Sequence, residues 1–283
     1  MISLLIIAHE EHDKLSLHLP ALFDQQGTEF EVVVVDMNSE DETIDLLKSL
    51  QETHPQLHYL SMPTSARDIS REQLALHLGM RATSFQKVLV LSASIQFTDK
   101  NWLASIEKRW RTDCNIMLIP TKRTRSKNFG DYFTAGHEAW HNALHQKQAL
   151  QNGLYRAGNM TVGLNKEVFL RHSSPASHLA LKTGTLDIFI SQTANPYNTI
   201  ILTEKNLLPT TDANKSSHFW SQKRLFYVET NRHLTNRSKR SFIYLLHCLC
   251  TIHRGSLFYS ILDFYDKLRW MFTKKETFIK QHY

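Results

Sequence analysis

The sequence predicts an α/β protein: a mostly parallel sheet flanked by helices, followed by a C-terminal helical tail. Three observations carry this. Short apolar or β-branched runs alternate with stretches of helical spacing from Ile2 to Leu202. Those runs are continuous rather than alternating, as in strands covered on both faces. The basic charge is concentrated at one end of the chain, which sets the tail apart from the rest.

The elements follow in order. Ile2–Ile7 reads as a strand, and Glu10–Phe23 as a helix whose Leu15, Leu19, Leu22 and Phe23 share a face. Glu31–Val35 (EVVVV) is a β-branched strand. Ser39–Leu50 is a helix with Ile44, Leu46, Leu47 and Leu50 as its apolar stripe. Its start, SEDE, predicts a capping box between Ser39 and Glu42. Leu57–Leu60 is a short strand, Ile69–Thr83 a helix, and Lys87–Leu91 the next strand. Asp99–Arg111 is a helix and Cys114–Ile119 a strand. Pro120–Gly130 (PTKRTRSKNFG) is polar and basic, so it predicts a mobile loop. Asp131–Leu150 is helical, and Tyr155–Leu164 is extended. Lys166–Arg171 and Leu186–Ala194 are short helices, and Thr199–Leu202 is a strand. This βαβα rhythm calls for parallel strands joined by crossover helices.

Composition narrows the class. The chain has 283 residues, 42% hydrophobic and 21% charged, as in ordinary globular proteins. Its three cysteines, Cys114, Cys248 and Cys250, form neither a disulfide framework nor a paired zinc spacing, which points to a reducing, cytoplasmic setting. The opening MISLLIIAHEEHDK has no basic leader and too short an apolar run for a membrane span, so it reads as a first strand. Residues 232–283 hold 10 Lys/Arg against 3 Asp/Glu, leaving 23 against 24 in the rest. The net charge of +6 therefore belongs to the tail, and the main body lacks the basic face of a nucleic-acid binder.

Ligands of an open parallel sheet bind beyond the carboxyl ends of its strands, near the point where strand order reverses. Asp36 stands at such an end, where a carboxylate can accept a base N–H or a ribose hydroxyl; the plainer alternative is that Asp36 and Ser39 only cap the next helix. Ser92-Ala93-Ser94 stands at another strand end.

In order, these segments resemble family 2 glycosyltransferases of the GT-A fold. AHEEHDKL resembles the family's Asn-Glu-Glu opening, with His9 in place of Asn. VVVVDMNSEDETIDLL, with Asp36, Ser39, Asp41 and Thr43, resembles its VVDDxSxDxT turn and helix. LALHLGMRAT resembles the helix under the nucleotide. LVLSASIQFTDKNWL resembles the strand ending in the Asp-x-Asp metal motif, followed by Trp102-Leu103. AGNMTVGLNKEVF, GTLDIFISQTANPYNT and FWSQKR resemble later family segments. The resemblance covers about residues 2–235, giving a GT-A-like domain over 1–235 and a basic amphipathic helical tail over 236–283. It implies a nucleotide or nucleotide sugar contacted by Ala8, His9, Glu10, Asp36, Ser92 and Ser94, with Lys223 and Arg224 meeting phosphate or acceptor, and Asp187 as the remaining candidate catalytic base.

Three departures bear on activity. A divalent cation such as Mn²⁺ or Mg²⁺ wants hard, charged oxygen ligands, yet Ser92 and Ser94 replace both aspartates of the metal motif. Of the family's three acids before Leu-Phe, only Asp187 remains in Gly184-Thr185-Leu186-Asp187-Ile188-Phe189. The basic groups facing the diphosphate are reduced: Arg71-Glu72-Gln73 stands for Gly-Lys-Lys, and Gln222-Lys223-Arg224-Leu225-Phe226 lacks the Arg-His pair. The expectation is a family member without metal-dependent transfer and with no metal or cofactor, serving a surface-glycan pathway as a binding or scaffolding partner. The alternative is an active, metal-independent transferase. Asp187 would then be its base, and cations from residues 122–127 or Lys223/Arg224 would supply the missing charge.

Other motifs are weaker. His137-Glu138-Ala139-Trp140-His141 matches HExxH, with His145 continuing the face, but a chain with 16 histidines gives such matches by chance. Trp102, Trp110, Trp140 and Trp220 read as packing residues, Trp220 being the best candidate exception. In the tail, FIYLLHCLCTI and SLFYSILDFY are each too short to span a bilayer. Residues 240–283 suit an amphipathic helix on an anionic inner-membrane surface, or packing on the domain or on a second copy as an oligomer contact.

Overall fold

The computed structural model describes residues 1–62, 71–97, 99–124, 129–158, 160–173, 184–212 and 234. Lys223, Arg224, Trp220, Arg125–Lys127 and the whole tail lie outside them, as do the side chains of His137, Glu138 and His141.

The first half is built as the sequence predicts. Strand β1 (Ile2–Ala8) leads to helix α1 (His12–Phe23), β2 (Phe30–Asp36), α2 (Thr43–Thr53), β3 (Leu57–Ser61), α3 (Arg71–Ala82) and β4 (Lys87–Leu91). A two-residue strand β5 (Ile95–Gln96) follows, then α4 (Trp102–Arg109) and β6 (Ile116–Pro120). The second half adds β7 (Lys122–Arg123), α5 (Phe129–Asn152), β8 (Met160–Asn165), α6 (Lys166–His172), α7 (Thr185–Thr193), β9 (Thr199–Ile201), a 3₁₀ turn at Lys205–Leu207 and β10 (Thr210–Thr211).

The main sheet has seven strands in the order β3-β2-β1-β4-β8-β6-β9. β1, β2, β3 and β4 run parallel, and β8 is antiparallel to both β4 and β6. Strand order reverses between β1 and β4, so a crevice lies at their carboxyl ends. One face of the sheet is covered by α1, α2 and α4 through Leu15, Leu19, Leu47, Trp102 and Ile106. The other is covered by α3, α6 and α7 through Ala75, Met80, Phe169 and Phe189. Gly79 is required here, because a Cβ would stand 2.3 Å from Leu5 of β1.

Trp102 and Trp110 serve packing. Trp102 is fully buried and donates from Nε1 to the Leu207 carbonyl at 2.8 Å; Trp110 donates to the Cys114 carbonyl at 3.1 Å. Glu31, buried at the amino end of β2, accepts from the hydroxyls of Ser3 and Ser84 at 2.5 and 2.8 Å and from the Ser84 N–H. Burial raises its pKa, but these bonds outweigh burial and hold the carboxyl below its ordinary value.

Three expectations change. The stretch 120–130 is not one loop: Lys122–Arg123 pairs with β10, and α5 begins at Phe129. Backbone pairing satisfies this polar segment where its composition suggested solvent. The extended stretch at 155–164 becomes a strand only from Met160. Ser39 is not the cap of α2, which starts four residues later at Thr43, because its hydroxyl is engaged by Asp36.

Candidate functional site

Two loops, residues 8–12 and 36–43, close over the carboxyl ends of β1 and β2. Asp36 is fully buried, and its carboxylate organises its own turn. Oδ2 accepts from the Asn38 N–H at 3.0 Å, and Oδ1 accepts from the Ser39 hydroxyl at 2.5 Å. Asn38 takes the left-handed conformation this turn needs, φ 61°, which its short polar side chain tolerates. The capping alternative for Asp36 and Ser39 is thus replaced by a turn-forming role, and both Asp36 oxygens already accept turn donors.

The loops are laced together. The Glu10 N–H donates to the Ser39 hydroxyl at 2.9 Å, and Glu10 Oε1 accepts from the Glu40 N–H at 3.1 Å. The Glu11 N–H donates to Thr43, and the His12 N–H donates to Asp41 at 3.2 Å. Glu10 has φ 55°, rare for a residue with a Cβ and held here by these bonds. Burial raises the Asp41 pKa, but the donors of Thr43 and His12 outweigh it and hold it below its ordinary value. His9 is exposed at the rim.

Ser92 and Ser94 stand across the reversal point, at the end of β4. Their hydroxyls are 3.1 Å apart and bonded to each other; Ser92 is exposed and Ser94 is 5% exposed. The Ile95 N–H closes the turn on the Ser92 carbonyl at 3.1 Å. Two neutral hydroxyls satisfied by each other do not fit a divalent cation, which needs charged oxygens. Among the described residues, no three His, Cys, Asp or Glu gather as metal ligands. Past this turn, the small sheet carries a carboxylate, Asp212, just beyond β10. It is held by Gln96 Nε2 at 3.0 Å and lies 3.2 Å from His18 Nε2.

Asp187 sits in the first turn of α7, 3% exposed. Its Oδ1 accepts from Arg156 Nε at 2.8 Å and from the Gly158 N–H at 3.2 Å. The carboxylate is therefore turned inward to a guanidinium. Of the histidine face, only His145 is described with its side chain, and it is buried beside Gly158 rather than open to solvent.

The structure thus brings Ala8, His9, Glu10, Asp36, Ser92 and Ser94 to one sheet edge and directs Asp187 into an ion pair. Sequence reasoning missed one participant, Arg156, and read Arg71 only as part of a weakened basic segment. Arg71, at the start of α3, reaches across to donate to the Met37 carbonyl, so a cation stands beside the β2 loop. Arg156 had no local signal; only the rule that a buried acid needs a partner pointed toward such a residue.

Residues 3–170 match the family described as Glycosyl transferase family 2. No curated protein sequence matches the chain. In structure it is similar to the mannosyltransferase PcManGT of Pyrobaculum calidifontis, solved with GDP-Man and Mn²⁺. The TM-score is 0.59 at 14% identity, over 96% of this chain and 81% of that one. It is also similar to residues 1–349 of S. aureus TarS, with TM-score 0.55 and 15% identity over 90% of this chain and 73% of that one. TarS has been solved with UDP and with UDP-GlcNAc. At such identities the likeness shows a common GT-A architecture, and the sequence match over most of the same strands and crossovers supplies the kinship: the chain belongs to family 2 of the glycosyltransferases.

Proposed function

We propose that this family member binds the nucleoside half of a nucleotide or nucleotide sugar at the ends of β1 and β2 and does not perform metal-dependent transfer. Its role is then that of a binding or scaffolding partner in surface-glycan synthesis. The observation that carries this reading is the Ser92–Ser94 hydroxyl pair, a neutral turn where a cation would need charged ligands. The Arg156–Asp187 pair supports it, since this carboxylate is buried and engaged by a guanidinium and the Gly158 N–H. Isothermal titration with a panel of nucleotide sugars, with and without Mn²⁺, tests the reading alongside product analysis. Binding without Mn²⁺ dependence or turnover is the expected result; Mn²⁺-dependent turnover would refute it.

One observation favours a second reading. Arg71 places a permanent cation beside the β2 loop, where it can offset part of a diphosphate's charge. Turnover that persists in EDTA and is lost in Arg71→Ala would mark a metal-independent transferase. For either reading we place the protein on the cytoplasmic side, with residues 240–283 holding it on an anionic membrane surface. Among the described residues, no helix is long and apolar enough to cross a membrane.

A further inference from the structure

The near balance of charge over residues 1–231 hides a polarity. Residues 1–62 hold 12 Asp/Glu against 2 Lys/Arg, and residues 63–231 hold 12 against 21. The fold keeps the two groups apart. Residues 1–62 build β1, α1, β2, α2 and β3, which form one half of the main sheet and its β3 edge. The other half, β4, β8, β6 and β9, comes from later residues. On the first half Glu31 and Asp36 are buried, but Asp13, Asp24, Glu29, Glu42, Asp45 and Glu52 are exposed. At about 4.8 Å per strand, the β3 and β9 edges stand about 29 Å apart. Salt screens exposed charges over about 8 Å, so a surface that meets one edge does not feel the other.

The β9 edge is framed by cations. Arg111, before β6, donates from Nη2 to the carbonyl of Tyr197, before β9, at 3.3 Å. Lys122, after β6, donates from Nζ to the carbonyl of Lys205, after β9, at 3.0 Å. These bonds to backbone oxygens fix one cation at each end of the β6–β9 pair. Asp113 offsets Arg111, and Glu204 offsets Arg109. Lys108, Lys122 and Lys205 are exposed and, among the described residues, enter no ion pair. Tyr197 is 85% exposed on the same edge. Its ring with a polar tip suits a boundary that is apolar on one side and wet on the other.

The chain returns to this half before its tail begins. Leu234, 4% exposed, packs on Ile188 of α7, and α7 leads into β9. Residue 240 is six residues further on, a reach of at most about 20 Å. We infer that the domain meets an anionic lipid surface through its β9 edge, with the acidic β1–α2 half held away from it. The inference rests on the membrane reading of residues 240–283 above. The tail supplies the attachment; attraction at the β9 edge and repulsion of the acidic half act in the same sense and set the orientation. The crevice between β1 and β4 then stands about 17 Å from that edge, clear of the lipid.

The test is flotation of the full chain at low salt with vesicles of phosphatidylcholine, with and without phosphatidylglycerol. Two double variants of opposite charge change are compared. Lys122→Glu with Lys205→Glu alters the edge; Asp45→Lys with Glu52→Lys alters exposed positions of α2. Urea midpoints verify that both fold. A lysine near an anionic surface contributes about fivefold in affinity, so the edge variant should bind anionic vesicles at least about tenfold more weakly. The α2 variant should stay within about twofold of wild type. Equal and opposite shifts in the two variants would show that net charge alone acts, and wild-type binding in both would show that the tail acts alone; either result overturns the orientation and leaves the membrane reading standing. Equal flotation without phosphatidylglycerol overturns the charge argument. A wild type that stays off anionic vesicles defeats the membrane reading itself, and the orientation with it.

Discussion

Arg156 and Asp187 form a buried ion pair, Nε to Oδ1 at 2.8 Å, with side chains only 14% and 5% exposed. Removing one partner leaves the other charge stranded out of water. Arg156→Met should cost about 3–5 kcal/mol of stability. Adding Asp187→Leu should recover much of that loss. Urea denaturation of both variants measures it; equal stability in wild type and Arg156→Met would show that the pair is not formed.

Ser92→Asp with Ser94→Asp should create Mn²⁺-dependent nucleotide binding, because the two positions sit at one strand end with their oxygens in contact. The wild type should bind nucleotide equally with and without Mn²⁺. Calorimetry of both proteins decides it, and tight Mn²⁺ binding by the wild type would count against the serine turn as described.

Uridine or another nucleoside should bind about as well as its diphosphate. The loops at 8–12 and 36–43 are intact and laced, whereas the metal-binding carboxylates are missing. A diphosphate preference above about tenfold, roughly 1.4 kcal/mol, would reveal a working phosphate site, and Arg71→Ala should then abolish the preference.

Stability should fall in acid in two separable steps. His77, buried on α3, has a folded pKa held below its ordinary value by burial and next by the charge of Arg81, so the unfolded chain takes up a proton first as pH drops below about 6.5. That loss levels off once pH is below the folded value. Glu31 is also held below its ordinary value, so its contribution is complete above about pH 4.3 and is lost as pH falls through the folded value. Glu31→Gln should flatten the lower step, and His77→Gln the upper. Denaturation midpoints across pH 3 to 8 check both.

The tail should bind anionic vesicles at low salt and release them at high salt, since each Lys or Arg near such a surface contributes about 1 kcal/mol, screened by ions. Deleting residues 240–283 should abolish flotation. Full-length protein left in the aqueous fraction with anionic lipid at low salt would refute membrane attachment.

The main sheet was legible because its strands are apolar runs whose length and spacing report burial directly, as at Val32–Val35 and Val88–Leu91. The small sheet of β5, β10 and β7 was not. Its strands are two residues each, too short for periodicity, and its pairing joins Ile95, Thr211 and Arg123 from distant parts of the chain. The site split the same way. Asp36 and the serines were visible as strand-end residues, and Asp-x-Asn-Ser carried a turn signal that the capping-box pattern obscured. The inward turn of Asp187 depends on Arg156, thirty-one residues earlier, and no local pattern encodes that encounter.

The antiparallel strand β8 sits between β4 and β6, although β6 is made first. On the ribosome, Ile116–Pro120 therefore emerges with both edges unpaired until Met160 follows. At about 5–20 residues per second, that interval lasts roughly 2–8 s. Its sequence, IMLIP, is apolar throughout, and an unpaired apolar strand is a template for another nascent chain. Pro120 closes the segment without an N–H to offer, which shortens the template by one donor. Translation through the intervening helix therefore leaves this strand bare on both edges, and its second edge waits longer still, until Thr199–Ile201 follows.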